Sequence, residues 1–235
     1  MIFYGGTADG KDAPDKGIWF LAYDVKNKKM LCKDADGFDR CAILSSSSGR
    51  VYWGVQKTDE KTKAVTVTGR MYDPVSNKIT PANVPHVRSA TKETPDGWVY
   101  GTSGTKADLW AFNVKTGELK QLGSCAAGRT VGKAEYTTSM DADSTGRYLY
   151  YVCSAHGRAS ADGTPILQYD TKTNTRKVTA FVADYYGKKY GYIPDGTFGT
   201  ALSPDDATLY ITWNEKGWAA CAMMAVHIPE SERKP

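Results

Sequence analysis

Along most of this chain apolar and polar positions alternate in short runs, each closed by Gly, Asn, Asp or Pro. A period of two sends successive side chains to opposite faces, so the pattern predicts half-buried β-strands. Runs such as Val51-Tyr52-Trp53, Trp98-Val99-Tyr100, Tyr148-Leu149-Tyr150-Tyr151 and Leu209-Tyr210-Ile211 carry the β-branched and aromatic residues that suit a pleated surface. Helical spacing is nearly absent. Only residues 219–226, with their Ala and Met, suit a helix, and their place in the repeat described next assigns them to a strand.

The strands recur as a unit. An aromatic residue, a small polar or acidic one and a turn appear at Tyr23-Asp24, Tyr72-Asp73, Phe112-Asn113 and Tyr169-Asp170, with a decayed copy at Val226-His227. The intervals are 49, 40, 57 and 57 residues. An apolar strand, a tight turn and an aromatic strand precede each later copy. Repeats of this length with several short strands each are what propeller blades produce. The expected fold is therefore all-β: one β-propeller domain, residues 1–235, of four-stranded antiparallel meanders with strands A to D running outward from the hub. Blades are expected at about 1–34, 39–84, 85–124, 135–182 and 195–235. The first lacks strand A and the last lacks strand D. About four and a half blades suit either a five-bladed ring or a fragment of a six- to eight-bladed one. A chain that opens within a strand, at Ile2-Phe3-Tyr4, is expected to be N-terminally incomplete.

Two of these turns carry a resemblance. Ser203-Pro204-Asp205-Asp206-Ala207-Thr208-Leu209-Tyr210 resembles the Ser-Pro-Asp-Gly-x-x-Leu-Tyr turn of bacterial WD40-like and YVTN-type propellers. Tyr169-Asp170-Thr171-Lys172-Thr173-Asn174 is similar to their Tyr-Asp-x-Lys-Thr-Gly turn. Residues 136–151 and 192–213 also resemble the C-terminal half of uncharacterised, exported bacterial propeller proteins. The resemblance implies the fold, residues missing upstream and a periplasmic or secreted location. It brings no activity, because one fold hosts many functions.

Composition narrows the function classes. Hydrophobic residues at 41% and charged residues at 24% are ordinary globular values and exclude a disordered chain. A net charge of +4, scattered along the sequence, is too mild for a nucleic-acid footprint. The longest apolar run, residues 218–226, is well short of the ~20 residues that cross a bilayer, so no membrane span is expected. No signal peptide is visible at the start of the chain. The five cysteines show no C-x-x-C spacing and read as isolated buried thiols, with a Cys32–Cys41 bridge open if the protein is exported.

Loop lengths select a face. The A–B turns, at 45–49, 92–96, 142–146 and 203–207, are short. The connections at 5–17, 32–39, 123–135, 154–163, 182–196 and 214–220 are long, and long loops on a rigid scaffold carry binding residues. A site is therefore expected on the D–A and B–C face, at the mouth of the central channel. Aligning the blades on Tyr52, Tyr100, Tyr150 and Tyr210 puts His86, Tyr136 and Gly196 in one row at the start of the inner strands. Arg40, Arg88, Thr138 and Phe198 follow two residues on, and Glu135 and Asp195 sit just before. His156 opens onto the same face from its loop.

The candidate ligand-binding residues are thus Arg40, His86, Arg88, Glu135, Tyr136, His156 and Asp195. A channel lined with polar side chains that merely hold water is the competing reading. A surface patch of Tyr185, Tyr186, Tyr190 and Tyr192, interleaved with Lys188 and Lys189, suits stacking on a sugar ring or a protein partner, or else a packed loop. Asp34-Ala35-Asp36-Gly37-Phe38-Asp39 resembles half of a calcium loop, but the twelfth position is Ser45 rather than Glu. The expected function is a non-catalytic binding or scaffold module for a small molecule, glycan or protein, without a cofactor. The alternative is a metal-assisted lyase or hydrolase with a divalent metal on His86, Glu135 and His156. No oligomeric state is legible.

Overall fold

Five antiparallel sheets, each a simple meander, take up the alternating runs. They are seen in a computed structural model that describes residues 2–8, 17–103, 108–126, 137–153, 158–217 and 219–233. Sheet 1 holds β1 (Ile2–Ala8), β2 (Ile18–Asp24) and β3 (Lys29–Ala35). Sheet 2 holds β4 (Ile43–Leu44), β5 (Val51–Thr58), β6 (Val65–Asp73) and β7 (Lys78–Pro81). These lie in one compact unit, Met1–Val87. A second unit, Arg88–Pro235, holds the rest. Sheet 3 has β8 (Ser89–Ala90), β9 (Trp98–Ser103), β10 (Asp108–Asn113) and β11 (Leu119–Ser124). Sheet 4 has β12 (Met140–Ala142), β13 (Tyr148–Val152), β14 (Pro165–Asp170) and β15 (Thr175–Phe181). Sheet 5 has β16 (Pro194–Leu202), β17 (Thr208–Glu215) and β18 (Cys221–His227). Of the stretch that suited a helix, 219–226, residues 221–226 lie in strand β18 and pair with β17.

Within each unit neighbouring sheets stack face to face. Leu149, Tyr151, Leu167 and Tyr169 of sheet 4 pack with Tyr100, Leu109 and Ala111 of sheet 3. Their alternates Tyr150, Val152 and Ile166 pack with Leu209, Ile211 and Trp213 of sheet 5. A strand buried on both faces must be apolar at every position, and β13 is buried at four of its five. In the first unit Phe20, Ala22, Val51, Trp53 and Tyr72 form the equivalent layer. There the Phe20 and Trp53 rings stack with centroids 4.5 Å apart.

The repeat unit is a turn device. Asp24 Oδ1 accepts the amides of Lys26 and Asn27 at 3.0 and 3.2 Å. Asn113 Oδ1 accepts those of Lys115 and Thr116, and Asp170 Oδ1 those of Lys172 and Thr173. Asp73 does the same for Val75. Five residues after each aromatic the backbone is left-handed, at Lys28, Asn77, Gly117 and Asn174. The Tyr72 and Tyr169 hydroxyls donate to the Oδ1 atoms of Asn77 and Asn174. The repeated spacing is thus an Asx turn, closed at two of its copies by its own tyrosine.

Helical turns depart from the all-strand expectation. Residues Ala183–Tyr190, expected as loop, form helix α1. Asp184 in its first turn and Lys188 and Lys189 in its last complement the helix dipole. Gly191, at φ 68°, ends it by donating to the Gly187 carbonyl. The run of tyrosines reads as strand by propensity, and the end signals outweigh it. A 3-10 turn at Ala159–Asp162 and a one-turn helix α2, Glu230–Arg233, complete the described elements.

The A–B turns each need a left-handed residue, at Gly49, Gly97, Gly146 and Asp206. Only Asp206 is not glycine, and its carboxylate accepts the Ser144 amide at 3.0 Å and the Ser144 hydroxyl at 2.5 Å, tying the turns of sheets 4 and 5 together. A non-glycine residue there costs about 1 kcal/mol, which two charge-assisted bonds offset. Asp206→Ala, which keeps the strain and loses the bonds, is expected to lower unfolding stability by about 1–3 kcal/mol, and Asp206→Gly by less. Urea midpoints will order the three. An alanine variant as stable as the parent would show that the Ser144 bonds add nothing.

Candidate functional site

On the connections between β13 and β14 and between β15 and β16, short turns and a helix hold the side chains. Asp195, at the start of β16, is buried, and its Oδ1 accepts the Ser160 amide of the 3-10 turn at 2.7 Å. Thr164 Oγ1 donates to the Pro194 carbonyl at 2.5 Å. Asp195 therefore fastens one connection to the next strand. Glu135, Tyr136 and His156 lie outside the described residues.

The inner strands start later than the sequence rows suggest. Arg40, His86, Arg88 and Thr138 precede β4, β8 and β12, because those strands shorten to two or three residues. Only Asp195, Gly196 and Phe198 lie in a strand, β16. The Arg88 amide still donates to the Thr102 carbonyl at 2.8 Å, so the ladder is approached before β8 begins. Arg88 belongs to the second unit and His86 to the first.

His86 meets a carboxylate the sequence reading did not select. Its Nε2 lies 3.0 Å from Asp39 Oδ1, and Arg40 Nε lies 4.0 Å from the other Asp39 oxygen. Gly54 allows this placement, since a Cβ there would collide with the Pro85 carbonyl. His86 is buried, and its Nδ1 has no hydrogen-bond partner among the described residues. The signal for Asp39 was available: a carboxylate next to a candidate arginine, in a connection on the same face. Two carboxylates of the calcium-like stretch are drawn into ion pairs. Asp34 pairs with Arg70 at 2.7 Å and Asp36 with Lys57 at 3.2 Å, leaving those carboxylates committed to cations. Among the described residues no group of three or more His, Cys, Asp and Glu side chains is placed to hold a metal ion. Cys32 and Cys41 are both free thiols in this structure.

The tyrosines divide into two pairs. Tyr186 and Tyr192 pack against the layer between sheets 4 and 5, and the Tyr192 hydroxyl donates to the Trp213 carbonyl at 3.2 Å. Burial pushes the Tyr192 phenol above its ordinary value. Tyr185 and Tyr190 are 54% and 60% exposed. Tyr186 lies between them, with ring centroids 5.3 Å from Tyr185 and 5.5 Å from Tyr190. Lys189 sits over both exposed rings, at 5.3 and 5.1 Å, and donates to the Tyr185 hydroxyl at 2.9 Å. Those hydroxyl contacts, Tyr185 first and Tyr190 second, push the ammonium above its usual range.

A cavity of about 190 Å³ opens at the opposite, A–B end of the second unit, where no site was expected. Lys92, Asp141, Asp143, Leu202, Ser203 and Asp206 line it. Asp141 accepts Thr200 Oγ1 at 2.5 Å, and Asp143 accepts the Tyr148 amide at 3.1 Å and Thr145 Oγ1 at 2.9 Å. Burial pushes both carboxyls up, outweighing those bonds and, for Asp141, the Lys92 charge.

No protein-family model and no curated protein matches the chain. Solved structures do. Hydrazine synthase of Kuenenia stuttgartiensis aligns at TM-score 0.52 and 14% identity, over 79% of this chain and 45% of that one. A nidogen/laminin complex aligns at 0.54 and 8%, over 95% and 73%. The Cps50 (Swd1) β-propeller domain of Myceliophteria thermophila aligns at 0.51 and 8%, over 77% and 50%. This chain thus spans about half the length of the first and third. With the five meanders, these likenesses make the fold a β-propeller. No helix of the described residues is long and apolar enough to cross a membrane.

A carboxyl with a raised folded pKa keeps a proton that the unfolded chain has lost. Stability from Asp141 is therefore present in acid and falls as pH rises from 3.8 through the raised folded value. Asp141→Asn, which keeps an acceptor for Thr200, is expected to gain stability over the parent as pH rises across that window. Urea midpoints of both proteins between about pH 4 and 8 give the difference. A difference that stays constant with pH would refute the buried-charge account.

Proposed function

We propose that this chain is part of a β-propeller binding module that recognises its ligand by stacking on Tyr185 and Tyr190 of α1. The observation that carries the reading is an exposed pair of rings at fixed spacing, joined through Tyr186 and Lys189, on a helix whose other side is packed into the core. Aromatic rings with polar tips give contact area at small entropic cost, and they suit the flat face of a sugar or the ring of a partner side chain. The ligand class is a glycan, a small molecule or a protein segment. One structural neighbour, nidogen, is described in a complex with a protein, laminin. The bacterial WD40-like and YVTN resemblance and an exported location belong to the same proposal, as does a single propeller domain across residues 1–235.

A second reading, metal-assisted lyase or hydrolase, draws on the buried His86. Its Nε2 is oriented by Asp39 and its Nδ1 has no described partner, as in a carboxylate–histidine ligand pair. That reading needs Glu135, His156 or another donor to complete a set. Elemental analysis of the purified protein and of His86→Ala tests it: stoichiometric metal lost in the variant supports it, and metal-free parent protein that still binds ligand removes it.

Titration with a panel of soluble neutral oligosaccharides, followed by intrinsic fluorescence, tests the first reading, with pull-down of protein partners alongside. Tyr185→Ala and Tyr190→Ala are each expected to weaken the ligand found about 5- to 50-fold, with thermal melting unchanged. Ligands that bind both variants as tightly as the parent would displace the site from α1.

A further inference from the structure

Two of the five cysteines meet in the core. Cys125 follows β11 and Cys153 follows β13, and they are 0% and 2% exposed. Both belong to the apolar layer between sheets 3 and 4, beside Tyr151 and Leu167. Each thiol is within hydrogen-bonding reach of the other. The Thr137 hydroxyl lies 3.3 Å from Cys125 Sγ and 3.6 Å from Cys153 Sγ, and Cys153 Sγ is 3.5 Å from the Cys125 carbonyl oxygen.

The backbone around the pair is held on several sides. The Tyr151 hydroxyl donates to the Cys125 carbonyl at 2.9 Å. The Arg176 guanidinium donates to the carbonyls of Ser124 and, at 2.8 Å, Ala126. A disulfide forms without strain only where the fold already brings two sulfurs together, and this is the place where it does. The chemistry is also asymmetric. The Cys153 contact, then burial, push Cys125 well up, whereas the hydrogen bond from Cys125 favours the Cys153 thiolate.

We propose that Cys125 and Cys153 are a dithiol that closes to a disulfide on exchange with a small-molecule disulfide such as oxidised glutathione. The Cys153 thiolate attacks one glutathione sulfur, forming a mixed disulfide and expelling one glutathione thiolate. Cys125 then gives its proton to that thiolate, attacks the Cys153 sulfur and releases the second glutathione. Two protein thiols become one disulfide, and one glutathione disulfide becomes two glutathiones. The bond would join the ends of β11 and β13, where two of the long connections begin. Because the pair is shielded from water, exchange is expected during folding and slowly in the folded protein.

The test is to refold the urea-unfolded chain in glutathione disulfide buffer, alkylate it, and map the peptides by mass spectrometry without reduction. The expected result is a single Cys125–Cys153 link with Cys32, Cys41 and Cys221 alkylated. Cys153→Ala is expected to abolish the link, and a Cys32→Ser, Cys41→Ser, Cys221→Ser variant to keep it and to melt several degrees above its reduced form. Native-like protein that retains all five thiols in that buffer overturns the proposal, as does a link between any other pair. Should Cys153→Ala fail to fold, the map of the parent chain and of the triple variant still decides.

Discussion

The structure depends on sheets that are apolar on both faces. β13 shows the constraint most directly: Leu149 and Tyr151 turn toward sheet 3, and Tyr150 and Val152 toward sheet 5. Each such side chain contributes about 1.5–3 kcal/mol when removed from water, so a polar residue on either face of a stacked sheet is expensive. β17 marks where the stacking stops. Leu209, Ile211 and Trp213 are buried, while Tyr210 and Thr212 between them are exposed. Where both faces are occupied, the strands themselves have no surface to offer a ligand. The candidate residues accordingly lie at or next to the connections.

The A–B and C–D turns share one end of each meander, and their carboxylates fall into two electrostatic classes. In the hairpin turns of the repeat, Asp73 is held low first by the Val75 amide, and Asp24 by Asn27. Asp170 is held low too: burial, the largest single influence, pushes it up, but Arg147 and the turn amides together outweigh it. Such groups contribute stability above the ordinary carboxylate pKa and lose it as pH falls through the lowered folded value. Asp141 and Asp143, enclosed by the cavity, behave in the opposite sense. Acid therefore loosens the hairpins, while rising pH loads the cavity with charge. The same residue type behaves in both ways because only the C–D hairpin turns surround it with enough N–H donors.

Much of the fold was legible in the sequence because it is repetitive. The aromatic–acidic turn has a local mechanism, an Asx turn with a left-handed residue at a fixed offset, and local mechanisms leave local signatures. Assigning 219–226 to a strand rested on that periodicity against residue propensity, and β18 agrees with it. Helix α1 was missed because its evidence lies at its ends, Asp184, Lys188 and Gly191, and the long connection 182–196 read as a loop. The site was less legible. Row alignment could not show that Asp195 is committed to Ser160, nor that Asp39 rather than a row member meets His86. Nor could spacing pair Cys125 with Cys153, because their proximity comes from two strands of different sheets ending together.

The division of the four tyrosines shows what structure adds to such a reading. In the sequence they are equivalent aromatics in one loop, and either stacking or packing accounts for them. In the fold, Tyr186 and Tyr192 are anchored against Trp213 and its neighbours. That anchoring fixes the helix and leaves Tyr185 and Tyr190 outward. Packing and display are therefore not rival explanations, since the buried pair is what makes the exposed pair rigid. Under the proposed stacking role, rings carried on a helix anchored in this way would ask less ordering entropy of a ligand.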